Sequence, residues 1–119
     1  MTSDDISQLI RRDLDAFDYE PSPRNGLLGI PWSKERMAHE IDSLRQALID
    51  PKLVSVALAD HPRTSSTRSL WVVTRSDENG YVVVFDPDAN RFGLATVGST
   101  GPPETVGVWG DLVTTYAAR

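Results

Sequence analysis

The chain has 119 residues, no cysteine, and 17 acidic against 12 basic side chains, a net charge of −5. That length suits one domain, residues 1–119, able to bury a core without disulfides or metal. The composition excludes disulfides, thiolate metal sites and a cysteine nucleophile, and the charge has the wrong sign for gripping nucleic-acid phosphates.

No apolar run approaches the roughly 20 residues of a membrane-spanning helix. The opening "MTSDDISQLI" is acidic where a secretory signal is basic. A cytoplasmic protein with no nucleic-acid or membrane partner is expected. The acid excess is uneven. Residues 1–50 carry ten acids and six bases, net −4, and residues 51–119 carry seven and six, net −1. An acidic N-terminal half attracts basic partners.

Ile6, Leu9, Ile10, Leu14 and Phe17 recur on one helical face and predict a helix from Thr2 to Phe17. Thr2 and Asp5 have capping-box spacing. The stretch "YEPSPRNGLLGIPW" then breaks the chain with three prolines and two glycines, and Asn25-Gly26 is a turn signal. Such a long connection is either functional or a packed loop whose Leu27, Leu28 and Ile30 cover a core edge.

Ser33 is placed to cap a second helix running to about Ile49, with Met37, Ile41, Leu44 and Leu48 as its apolar stripe and Trp32 as a staple on Met37. Asp50-Pro51 reads as the end of that helix, or as the start of another. The following "KLVSVALAD" alternates and is β-branched, which favours a strand over residues 52–60. "HPRTSSTRS" reads as a polar loop. "LWVVTR" and "YVVVFD" are strands joined at Asn79-Gly80, and "RFGLATV" returns after "PDAN". "TVGVW" is a short last strand, and "GDLVTTYAAR" a closing helix.

The expected fold is therefore α+β: two N-terminal helices packed on an antiparallel meander of four to five short strands, with a short C-terminal helix. "LWVV" and "YVVVF" are apolar on both faces. Either both faces of the sheet are covered, or one is a binding patch.

Asp86, Asp88 and Asn90 imitate the opening of a calcium loop. The sixth position is Arg91 rather than Gly and the twelfth is Val97 rather than Glu, so a turn is expected and no metal or cofactor. The two histidines, His39 and His61, show no zinc spacing. A hydrolase built on either would need a serine in a strained turn, and nothing marks Ser65 or Ser66 as one. The acids of "DLDAFDYE" sit at and beyond a helix end, where a solvated face is the plain reading.

"LWVVTRSDENGYVVVFDPDANRFGLA" followed by "GVWGDLVTTYAAR" resembles small acidic bacterial proteins that neutralise toxins, the immunity proteins of contact-dependent and polymorphic toxin systems. The resemblance lies in the strand–turn–strand meander, "FGLA", and a glycine-rich entry to a final helix. It implies a cytoplasmic, non-catalytic protein whose partner is a protein, a basic toxin domain. Asp13, Asp15, Asp18 and Glu20, and then Asn25, are the expected contact residues. The alternatives are a secretion chaperone holding an effector client, or a small hydrolase using His61 or His39.

Overall fold

Thr2 opens α1 (Ser3–Ala16) with the full reciprocal cap. Its hydroxyl accepts the Asp5 N–H at 3.2 Å, and the Asp5 carboxylate accepts the Thr2 N–H at 2.8 Å. Those bonds satisfy donors that a helix start otherwise leaves to water. They also hold the Asp5 carboxyl below the usual carboxylate range, the Thr2 backbone bond contributing most. The structure, a computed structural model, describes residues 1–17, 33–58, 66–98 and 101–119. The proposed turn at Asn25-Gly26, the staple at Trp32, and the residues Asp18, Glu20, His61 and Ser65 lie outside the described residues.

The fold is α+β, and the described residues form three helices and five strands. After α1 come α2 (Lys34–Ala47), β1 (Leu48–Leu58), β2 (Ser66–Thr74), β3 (Tyr81–Asp86), β4 (Arg91–Thr96), β5 (Glu104–Gly110) and α3 (Leu112–Ala117). Ser33 caps α2 by accepting the Arg36 N–H. The helix stops two residues before Ile49, because Leu48 already has extended backbone and begins β1.

Asp50-Pro51 therefore neither ends one helix nor starts another; both residues lie inside the first strand. The β1–β2 register shifts between Leu48 and Lys52, and a proline is tolerated at such an irregularity. The Pro51 carbonyl accepts a bond from Ser3 Oγ, tying β1 to the start of α1. Residues 52–58 are strand.

Consecutive strands pair antiparallel around a closed barrel, and β5 meets β1 in parallel at Ala57 and Glu104. Closure explains the two-sided apolar strands. In β3, Val83 and Phe85 join Val73, Phe92 and Leu94 in a core covered by Ile6, Ile10 and Leu14 of α1, Met37 and Leu44 of α2, and Leu112, Val113 and Tyr116 of α3. The alternate residues Val82 and Val84 point the other way, into the barrel, where they pack with Val56, Leu70 and Ala95. The sheet's second face is covered by the sheet itself.

The hairpin turns follow their residue chemistry. Gly80 takes φ +81° while Asp77 accepts the N–H groups of Asn79 and Tyr81. Asn90 takes φ +50° at the end of the Pro87–Asn90 turn. Phe85 then faces Phe92, with ring centroids 4.8 Å apart, and Val83 faces Leu94.

Candidate functional site: an acidic groove between α1 and α3

Four clefts among the described residues differ in their charge. The first, about 160 Å³, lies between α2, the β2–β3 hairpin and α3. Arg119 crosses it, donating to Glu40 at 3.2 Å and Asp77 at 3.4 Å, with its guanidinium 3.8 Å from the centre of the Tyr116 ring. The Tyr116 hydroxyl and Ser43 Oγ are hydrogen-bonded at 2.6 Å. Burial pushes the Asp77 carboxyl up, but the N–H groups of Tyr81 and Asn79 and the Arg119 guanidinium outweigh it and hold the group below the usual carboxylate range. Acid and base are matched here, and the contacts tie three elements together. Two further clefts are also mixed, one lined by both Arg11 and Asp50 and the other by both Arg12 and Asp5.

The fourth cleft is different. It is a groove of about 200 Å³ between the end of α1 and the start of α3, lined by Asp13, Leu14, Ala16, Phe17, Asp111, Leu112 and Val113. Two carboxylates stand on its rim, and among the described residues no basic side chain lines it. Local structure fixes both. Asp13 is the exposed neighbour of buried Leu14, so the α1 stripe that enters the core leaves Asp13 at its margin. Asp111 is the N-cap of α3, and one of its oxygens accepts the Thr114 N–H at 2.7 Å. Its other oxygen has no hydrogen-bond partner among the described residues. Asp13 has no hydrogen-bond or ion-pair partner among the described residues. The floor is apolar because Leu14, Leu112 and Val113 belong to the core, with half-buried Phe17 against them.

Of the sequence-predicted contact residues, Asp13 lies on this groove. Asp15, two residues further along α1, is exposed, is not among the residues lining the groove, and pairs with Arg45 at 3.3 Å, an exposed contact of small energetic weight. Asp18, Glu20 and Asn25 lie outside the described residues. Asp111, which shares the rim with Asp13, escapes sequence reasoning. Its N-cap position is legible, but its proximity to Asp13 depends on α3 folding back beside α1.

The calcium-like string has another occupant. Asp86 is fully buried at one end of the barrel, where Arg68 grips both its oxygens at 2.9 and 3.2 Å and also reaches Asp88 at 2.9 Å. Asp86 further accepts the N–H groups of Asp88 and Ala89. Arginine thus takes the place a cation would need. No group of three or more metal-ligating side chains is assembled among the described residues. Ser66, expected in a polar loop, begins β2, and Arg68 is drawn into the strand by its bond to Asp86. His39 is exposed on α2. No helix among the described residues is long and apolar enough to cross a membrane. Comparison with known protein families, curated proteins and solved structures finds no match for this chain.

Proposed function

We propose that this is a non-catalytic binding module that docks on a basic protein, a toxin domain, and neutralises it in the cytoplasm. One observation carries the reading: the groove between α1 and α3 joins an apolar floor to two carboxylates, Asp13 and Asp111, with no base among the described residues that line it. Protein docking sites combine a desolvated apolar centre with a polar rim, and an unbalanced rim selects a partner of opposite charge. The overall charge of −5 has the same sign and favours encounter with such a partner. The resemblance of the meander and final helix to toxin-neutralising proteins points the same way.

The test is a titration of this protein into the purified product of the adjacent gene, with that product's toxic activity as the readout. Activity lost at an equimolar ratio, together with a complex on gel filtration, supports the reading. Undiminished activity at a large excess counts against it.

A further inference from the structure

We infer that the cleft between the last turn of α2, the β2–β3 hairpin and α3 binds a small molecule that carries a carboxylate on a short apolar stem. This site is distinct from the groove between α1 and α3 and does not depend on the proposed protein partner. Its basis is a count of hydrogen bonds: the cleft holds buried hydroxyl protons that no described residue accepts.

Tyr116 and Thr74 both line the cleft and are only 5% and 2% exposed. The Tyr116 hydroxyl and Ser43 Oγ lie 2.6 Å apart. A pair of hydroxyls brings a pair of protons, and the bond between them uses one. Thr74 Oγ1 accepts the Val83 N–H at 2.9 Å, which leaves the Thr74 proton unused. Neither spare proton has an acceptor among the described residues. A hydroxyl donates as well as accepts, and a buried donor without an acceptor is costly. The cleft therefore suits a guest that brings oxygen acceptors.

Charge narrows the guest to a carboxylate. Asp77 has no oxygen to spare for a cation: one accepts the Asn79 and Tyr81 N–H groups and the other the Arg119 guanidinium. Arg75, next to Thr74, lines the cleft and has no ion-pair partner among the described residues. Its backbone N–H donates to the Ala47 carbonyl at 2.9 Å, which sets it against α2 one turn beyond Ser43. The buried side chains of Ala47, Val83 and Leu94 supply the apolar part of the lining. A space of about 160 Å³ suits a stem of a few carbons.

The probe is butyrate, titrated into the ¹⁵N-labelled full chain at neutral pH and constant ionic strength, with amide chemical shifts as the readout. Butyramide keeps the stem and one oxygen without the charge, and butylammonium reverses the charge. Butyrate is expected to shift the amides of Ala47, Thr74, Arg75 and Val83 saturably. Butyramide should bind several-fold more weakly, and butylammonium should leave those amides unmoved. Ser43→Ala combined with Tyr116→Phe removes both hydroxyls together, strands no polar partner, and should weaken butyrate by about tenfold. Arg75→Gln alters an exposed side chain, keeps the fold, and should weaken it by about threefold. The inference is overturned if the butyrate shifts do not saturate or fall elsewhere, or if butyramide or butylammonium moves the same amides as strongly at equal concentration. It is equally overturned if the variants that retain the parent's amide spectrum titrate like the parent.

Discussion

Trp109 fills the space that a side chain at Gly93 would need: a Cβ built there would lie 2.5 Å from the indole. The two residues are cross-strand partners in β4 and β5. The Arg91 guanidinium lies 4.1 Å from the centre of the same ring. Gly93→Ala should therefore displace the indole and cost about 1–3 kcal/mol, as overpacking does. Chemical denaturation would measure it. Combined with Trp109→Leu, the same change should cost clearly less than the sum of the two single effects, because the clash has been removed.

The buried carboxylate of Asp86 holds the mouth of the barrel. Asp86→Ala leaves Arg68 facing an empty site and two turn N–H groups without their acceptor. A loss of about 2–4 kcal/mol is expected, since Arg68 remains partly solvated. Replacing both partners, Arg68→Met with Asp86→Leu, should recover part of that loss. Calorimetric titration of the parent with calcium should show no saturable heat, because Arg68 already occupies Asp86 and Asp88.

Stability should fall in acid through Asp77. Its folded-state pKa lies below the unfolded value of about 3.9. The ionised group therefore contributes its full stabilisation above that value and loses it as pH falls through the folded pKa. Asp77→Asn should destabilise the protein at neutral pH, and the gap between variant and parent should narrow below about pH 4. Thermal midpoints measured from pH 7 to pH 3 would show it. A gap that widens toward acid would contradict this role.

Thr115 is buried in α3, and its hydroxyl has no hydrogen-bond partner among the described residues. Thr115→Val keeps the shape and removes a desolvated polar atom, so stability should rise by roughly 0.5–1.5 kcal/mol. A loss of stability would reveal a hydrogen bond to water at that hydroxyl.

Helix α1 and the two hairpins are legible in the sequence because their signals are local. Ile6, Ile10 and Leu14 repeat along one face, Thr2 and Asp5 cap each other, and Asn79-Gly80 and Pro87–Asn90 supply their own turn chemistry. The start of β2 is not legible. Ser66 to Ser69 look like a loop until Asp86, from a later strand, provides Arg68 with a buried partner. Closure of the barrel is hidden for a related reason. "YVVVF" is apolar on both faces whether its second face meets another layer or its own sheet curled round. The end of α2 is misread because the chain passes into β1 at Leu48 without a turn residue, while Asp50-Pro51 advertises a boundary two residues later. At the candidate site, Asp13 stands out as one acid in a run of acids. What distinguishes it is Asp111, and only the fold brings them to one groove.

The most direct test of docking through this groove is the association rate with the adjacent gene's product, measured against salt for the parent and for Asp13→Lys combined with Asp111→Asn. Steered encounter makes the parent's rate fall steeply as salt rises. The variant is expected to associate more slowly at low salt, with a weaker salt dependence, and to keep the parent's circular dichroism and thermal midpoint to within a few degrees, since exposed charges contribute little to stability. A variant whose association rate matches the parent's at every salt concentration would contradict docking through Asp13 and Asp111.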